Sequence, residues 1–147
     1  MVSTIDKKIL EILQHDVRTP IAKIAKAVNL SENGVRYRLD KLERDGFISS
    51  YTLVLNPRKF GKTILAIFSL EIEPKAMRNT LPRLIALDEF IKIYQTTGQF
   101  SISALGLFEN EEQLTAFINS KLLLEFPIQN YAVEIVMRTL KDTDYEL

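Results

Sequence analysis

Two closely spaced helical patterns between Pro20 and Gly46 constrain the fold of this 147-residue chain more than any other feature. The first pattern begins at Thr19-Pro20, a predicted cap and first helical residue, and repeats apolar residues at Ile21, Ile24, Ala25 and Val28. After Asn29-Leu30 alone, Ser31 is a predicted cap for a second helix with a buried stripe of Val35, Leu39 and Leu42. Gly46 predicts a left-handed residue that ends this helix. Two short helices joined by a two-residue turn predict a helix-turn-helix unit.

The second of these helices is polar and basic on the face opposite its apolar stripe. That face carries Asn33, Gly34, Arg36, Tyr37, Arg38, Lys41 and Arg44. Side chains of these types contact phosphates and base edges when a helix lies in the major groove of DNA. The pattern therefore predicts a recognition helix, with Ser31, Asn33 and Gly34 close to DNA, Arg36, Tyr37 and Arg38 at bases or nearby phosphates, and Lys41 and Arg44 on the backbone. An ordinary solvated helix, with Tyr37 lying flat on its surface, is the alternative.

Charge is divided unevenly along the chain, although the formal net charge is zero. Residues 1–61 carry eleven basic and seven acidic side chains, a net +4, whereas residues 62–147 carry eight and twelve, a net −4. The sequence therefore predicts that only the N-terminal part faces double-stranded DNA. Because +4 is a modest charge, we expect two or more copies of the chain to bind together.

Composition excludes several other classes of protein. A hydrophobic content of 46% is enough for folded cores. No apolar run reaches the roughly 18 residues of a membrane span, and Asp6, Lys7 and Lys8 interrupt the N-terminus where a signal peptide would be apolar. The absence of cysteine excludes disulfides and thiolate metal sites. We therefore expect a cytoplasmic protein with no membrane partner.

The N-terminal part is predicted to contain three helices, the first over residues 4–15. After the recognition helix, Tyr51–Leu55 is β-prone and predicts a wing or linker strand, and the turn at residues 56–61 marks a domain boundary. We therefore divide the chain into a helix-turn-helix domain at 1–48, a linker strand and turn at 49–61, and a second domain at 62–147.

The second domain follows the element order β-α-β-β-α-β. Strands are predicted at 63–73, 90–97, 100–108 and 128–139, with helices at 74–87, where Pro82 indicates a kink or an end near Thr80, and after a cap at Asn110. The first strand is apolar on both faces, which predicts burial against the helices on one side and against another subunit on the other. The fold class is therefore α+β, with a winged-helix-like helix-turn-helix domain and a ferredoxin-like sandwich.

Nearly the whole chain resembles the Lrp/AsnC, or feast/famine, family of transcriptional regulators. The matching residues include Ile5-Asp6, Arg18, Val28-Asn29-Leu30-Ser31, Arg38-Leu39, Gly46-Phe47-Ile48, Asn56-Pro57, Phe60-Gly61 and Thr97-Gly98. The resemblance implies a sequence-specific DNA-binding regulator that acts as a homo-oligomer, a dimer at least and in many members a tetramer or octamer. It also implies a small, amino-acid-like effector at the turn Gly98, Gln99, Phe100 and Ser101 and near Tyr131 and Val133 of the last strand.

The effector positions of this chain depart from the family pattern. Members that bind amino acids commonly have an aspartate where Ser101 stands and threonines near Tyr131 and Val133. A buried ammonium and carboxylate need charged or well-aimed polar partners. Ser101 provides a hydroxyl without charge, so the sequence leaves three alternatives: an empty pocket, another ligand, or an oligomer contact.

Enzymatic activity has little support in the sequence. His15 is the only histidine, and no acid or nucleophile accompanies it, so we predict no catalytic residue, no metal site and no cofactor. Two alternative functions remain open. One is an enzyme resembling the tetrapyrrole decarboxylases of the same architecture, and the other is a DNA-organising protein of low sequence preference.

Overall fold

The computed structural model describes residues 2–143, 145 and 147, which form two compact units. The first unit comprises the described residues up to Val54 together with those from Lys141 onward, and the second spans Leu55–Leu140. The final residues were predicted to belong to the second domain. They return instead to the first unit, because the Gln14 side chain donates to the carbonyl of Tyr145 at 2.8 Å and accepts from the amide of Leu147 at 3.2 Å.

Three helices form the first unit: α1 at Thr4–His15, α2 at Ile21–Val28 and α3 at Glu32–Arg44. The predicted bounds of α1 are confirmed. The helices share one apolar core, whose buried members are Ile9, Ile24, Ala25, Val28 and Val35. This core fixes the direction of α3 relative to the two preceding helices.

The start of α2 differs from the prediction. Thr19 does not cap the helix, because its hydroxyl donates to the Asp16 carbonyl at 2.7 Å within the preceding turn. Pro20 occupies the cap position without a side-chain hydrogen bond. The predicted turn into α3 is confirmed, with Asn29 in the left-handed region at φ 55°.

The segment after α3 begins as predicted and then diverges. Gly46 adopts φ +75°, which confirms the left-handed residue past the helix end. The predicted strand at Tyr51–Leu55 is wrong for the isolated chain, since residues 49–56 have no strand pairing and only a 3₁₀ turn follows at Pro57–Phe60. A strand needs a neighbour to take its backbone hydrogen bonds, and no described residue of the single chain pairs with this segment.

The second unit contains a four-stranded antiparallel sheet in the order β2-β3-β1-β4. The strands are β1 at Ile64–Ile72, β2 at Phe90–Gln95, β3 at Ile102–Phe108 and β4 at Ile128–Ile135. Helix α4 spans Pro74–Ile85, and the second helical segment consists of α5 at Glu111–Phe117, a π-helical turn at Ile118–Leu122 and α6 at Leu123–Glu125. This topology confirms the predicted ferredoxin-like sandwich.

One face of the sheet packs against the helices of the second unit and forms its core. Buried residues alternate along β1 at Ala66, Phe68, Leu70 and Ile72, as the sequence predicts. Four phenylalanine rings form the centre of this core, with centroids 5.1–6.0 Å apart in the pairs that touch: Phe68, Phe90, Phe108 and Phe117. Of the two outcomes predicted for Pro82, a kink or an end near Thr80, the end is wrong, because α4 continues to Ile85. Pro82 is exposed, and so is Arg78, the residue whose carbonyl loses its hydrogen-bond donor at Pro82.

The opposite face of the sheet is also apolar and lies away from the helices. Leu65 pairs with Leu107, and Ile67 pairs with Leu105, on this face. All four side chains are only half-buried in one chain. No helix in the described part of the chain is long and apolar enough to cross a membrane.

Candidate nucleic-acid interface

Helix α3 separates its apolar and polar residues as the sequence predicts. Val35 is fully buried and Leu42 nearly so, while Leu39 is half-buried against the core of the first unit. These residues attach the helix to the domain by one side only. The other side is therefore presented to solvent along the length of the helix.

The N-terminus of α3 is held by local hydrogen bonding. The Ser31 hydroxyl accepts from the backbone amide of Gly34 at 3.1 Å, which confirms the predicted cap. Gly34 is half-buried, and a Cβ there would lie 3.3 Å from the Ser31 oxygen and 3.7 Å from the Leu30 Cβ. Of the first predicted group, Ser31 and Gly34 therefore shape the turn, while Ser31 and Asn33 are both exposed.

Five predicted contact residues lie on the exposed side of α3: Asn33, Arg36, Tyr37, Lys41 and Arg44. Tyr37 keeps 65% of its surface in solvent. Arg36, Lys41 and Arg44 form no ion pair with any residue that the structure describes. Three unpaired cations beside an amide and a phenol give this face the chemistry for contact with phosphates and base edges.

Arg38 differs from the other predicted contact residues, because its side chain turns toward the start of α1. Its Nη1 lies 2.8 Å from Oδ1 of Asp6 and 3.3 Å from the hydroxyl of Ser3. Arg36 and Arg38 are two positions apart in the sequence, which places them about 200° apart around the helix axis. One arginine can therefore face solvent while the other contacts α1.

Asp6 is the acceptor at the centre of this contact, and its sequence context alone predicted no role for it in the site. Burial by itself raises the pKa of Asp6, but hydrogen bonds from Ser3 and Arg38 outweigh burial and hold the pKa below its ordinary value. Ser3 and Asp6 also form a capping box on α1. The spacing of serine and aspartate three residues apart is the sequence signal that could have indicated this role.

A second contact missed by sequence reasoning joins α3 to the chain that follows it. The Tyr51 hydroxyl donates to a carboxylate oxygen of Glu43 at 2.8 Å. Burial, and then the hydrogen bond to Glu43, raise the pKa of Tyr51 to about 12. This bond attaches the beginning of the linker to the last turn of the candidate recognition helix.

The predicted effector residues lie in two separate places in the second unit. Gly98 and Gln99 are exposed in the turn after β2, Phe100 is half-buried, and the Ser101 hydroxyl accepts from the Ile72 amide at 3.3 Å. Tyr131 and Val133 lie on β4, opposite Leu70 and Phe68 of β1. Since β1 lies between β3 and β4, a single chain does not bring the two groups together.

The described residues bring no three histidine, cysteine, aspartate or glutamate side chains together at a metal site. His15 is exposed at the end of α1.

A helix-turn-helix unit with an exposed basic helix, joined to a ferredoxin-like sandwich, defines a two-domain DNA-binding regulator of transcription. Known proteins with matching sequences show which family of regulators this is. Residues 2–49 match a family model described as winged helix-turn-helix DNA-binding, and residues 65–145 match one described as Lrp/AsnC ligand binding domain. The chain belongs to the Lrp/AsnC family of transcriptional regulators.

Relatives and solved structures agree over nearly the full length. The HTH-type transcriptional regulator Ptr1 of Methanocaldococcus jannaschii is 33% identical over 142 residues, covering 97% of this chain and 96% of that protein. LrpA of Pyrococcus horikoshii is 31% identical, covering 96% and 100%. The structure of E. coli AsnC superposes with a TM-score of 0.92 at 24% identity, covering 99% and 98%. A Neisseria meningitidis regulator in complex with L-Met superposes at 0.89 and 23% identity, covering 97% and 94%.

Proposed function

We propose that this regulator reads a specific DNA sequence by placing α3 in the major groove. The observation that carries the proposal is the one-sided attachment of α3, which buries Val35 and Leu42 and leaves three cations unpaired among the described residues on the solvent side. Arg36 and Tyr37 are the proposed base-reading residues, with Asn33 beside them and Lys41 and Arg44 on phosphates. A DNA partner also favours the cytoplasm as the place where the protein works.

We propose further that the protein acts as a homo-oligomer, a dimer at least. The modest +4 charge of residues 1–61 supports this, because few phosphate contacts per chain give weak binding. The apolar sheet face formed by Leu65, Ile67, Leu105 and Leu107 supports it as well, since a second copy would bury it. Leu53 and Val54, in the linker segment that has no strand pairing, are also exposed, and a second copy of the chain would bury them. A dimer would present two recognition helices to half-sites about 34 Å apart.

The oligomer can be tested with a matched pair of variants. Ile67→Asp puts a charge on the apolar sheet face, whereas Ile85→Asp puts the same charge on an exposed position of α4. We expect analytical ultracentrifugation to show a smaller species for Ile67→Asp and an unchanged species for Ile85→Asp. Equal sedimentation of both variants would contradict an interface on this face.

A small-molecule effector that acts through the second unit is the third part of the proposal. Its candidate residues are Gly98, Gln99, Phe100, Ser101, Tyr131 and Val133. Because β1 lies between the turn and β4 within one copy, we propose that a ligand touching both groups binds where two copies of the chain meet. The turn offers no charge to an ammonium group, because its residues are all neutral, and the Ser101 hydroxyl already accepts a backbone hydrogen bond.

A selection of genomic fragments on the full-length protein, with and without a panel of amino acids, tests the proposal directly. We expect a discrete operator to be enriched, and a ligand that acts as effector to change that enrichment. Fluorescence anisotropy on operator and random duplexes should then show that Arg36→Ala lowers discrimination by about 1–3 kcal/mol. Equal affinity for all duplexes with a steep salt dependence would instead mean a DNA-organising protein.

A further inference from the structure

A sheltered network of polar side chains connects the start of α1 to the middle of α3. Asp6 accepts through Oδ1 from Arg38 at 2.8 Å, and through Oδ2 from the hydroxyl of Ser3 at 2.6 Å and its amide at 3.3 Å. The Ser3 hydroxyl in turn accepts from the Asp6 amide at 3.1 Å and from Arg38 at 3.3 Å. One guanidinium therefore contacts both members of the capping box.

The pair is less exposed than an ordinary surface ion pair. The side chains of Arg38 and Asp6 keep 31% and 18% of their surface in solvent. A cavity of about 40 Å³ lies beside them, and its other charged lining residues are Lys41 and Asp45. Partial shelter and a second hydrogen bond give the contact a fixed geometry, which an isolated exposed ion pair lacks.

The position of Arg38 on α3 determines what the contact can do. The apolar residues of α3 hold the helix against the core through hydrophobic contacts, which have no preferred direction. A hydrogen-bonded ion pair adds a directional constraint. A rotation of α3 about its own axis would carry Arg36 and Tyr37 away from their outward direction and would break the Arg38–Asp6 contact. The contact therefore opposes that rotation.

We propose that Arg38 is a positioning residue, held by Asp6 and Ser3, that sets the direction of the DNA-reading side chains and does not itself bind DNA. The inference rests on the proposed function of α3. It identifies Ser3 and Asp6, on a helix that carries no predicted DNA contact, as determinants of operator recognition.

The proposal and its alternative predict opposite signs for one substitution. Asp6→Asn removes a negative charge from the basic unit and releases the Arg38 guanidinium. Electrostatics and a phosphate-binding role for Arg38 both predict tighter binding to any duplex. A positioning role predicts weaker binding to the operator, because the recognition helix loses its directional contact.

The experiment measures the affinity of the full-length protein for operator and random duplexes between about 50 and 200 mM salt. We expect Asp6→Asn and Arg38→Met each to lower operator affinity about 5- to 30-fold, with the salt slope unchanged. The double variant should be no worse than either single variant, because both remove one contact. Arg38→Lys keeps the charge and should recover part of the operator affinity.

Lys41→Met is the matched control, since Lys41 is exposed one turn further along the same helix. It should weaken binding to both duplexes equally and lower the salt slope by about 1. Circular dichroism at the assay temperature gives the folded fraction, and the salt slope of Arg38→Met provides an independent test should Asp6→Asn not fold. Tighter binding by Asp6→Asn, or a reduced salt slope for Arg38→Met, would overturn the positioning role.

A measurement without DNA separates this inference from the proposed function. In the free protein, Asp6→Asn should shift the amide resonances along residues 32–44 as well as those of the first turn of α1. Shifts confined to α1 would refute the positioning role. Absence of duplex binding by the wild-type protein would refute the proposed function and leave the resonance comparison to decide the inference.

Discussion

Replacing Gly106 by alanine should destabilise the ferredoxin-like unit, because the added methyl group has no space. A Cβ at this position of β3 would lie 2.8 Å from Cε2 of Phe108 and 3.0 Å from Cε2 of Phe68. Carbon atoms in contact prefer about 3.5–4.0 Å, so the rings would have to move by roughly 0.7 Å. Both rings are fully buried, and both pack on Phe117, with centroids 5.2 and 5.8 Å from its ring.

Two opposing effects set the size of the change in stability. Overpacking a well-filled core costs about 1–3 kcal/mol, while replacing glycine inside a strand returns about 0.5–1 kcal/mol of conformational entropy. At the middle of both ranges the clash outweighs the entropy gain, so we expect a net loss of roughly 1 kcal/mol for Gly106→Ala. The melting temperature should fall by about 4–8 °C for each kcal/mol in a domain of about 60–100 residues.

Gly98→Ala provides the matched control for this measurement. Apart from its two chain neighbours, no described residue has a heavy atom within 4 Å of a Cβ built at Gly98, so the control removes similar backbone freedom from the unfolded chain without a clash. Thermal melting followed by circular dichroism should rank the stabilities as Gly98→Ala, wild type and Gly106→Ala, from high to low. Gly106→Ala melting at or above the temperature of Gly98→Ala would refute the packing argument.

Three further outcomes are expected. Ser31→Ala should lower the free energy of unfolding by about 1 kcal/mol in urea denaturation, whereas exposed Ser49→Ala should not; equal effects would contradict the cap. Because folding lowers the pKa of Asp6, the stability that its carboxylate contributes is fully present above the unfolded pKa of about 3.9 and is lost as pH falls through the folded pKa. Asp6→Asn should therefore reduce the loss of stability on acidification, measured as the free energy of unfolding against pH. An unchanged acid dependence would exclude this linkage. In an ultraviolet absorbance titration, Tyr51→Phe should remove the tyrosine ionisation step near pH 12. If a step near that pH remained in the variant, Glu43 would not be holding the Tyr51 phenol.

Local hydrogen bonding explains why much of the fold follows from the sequence. The caps at Ser31 and Asn110 accept backbone amides only three residues away, and Gly46 ends α3 through its own backbone conformation. The alternation along β1 likewise needs only the two-residue period of a strand. These interactions depend only on residues close together in the sequence, so the positions of the caps, the helix end and the strand could be predicted without coordinates.

The remaining features depend on residues that are distant in the chain. The direction of Arg38 is decided by Asp6, 32 positions earlier, and the helical period alone could not choose between solvent and α1 for this side chain. The segment Tyr51–Leu55 has β-forming residues, but strand formation requires a partner backbone, which the described part of the single chain does not provide.

The sequence by itself thus determined the helix-turn-helix unit, the order of the sandwich and the polar face of α3. The tertiary structure alone decided which cations of that face are free and which one is bound to α1. The physical reason is that periodicity specifies a face of a helix, whereas the partner of a charged side chain depends on how separate helices pack.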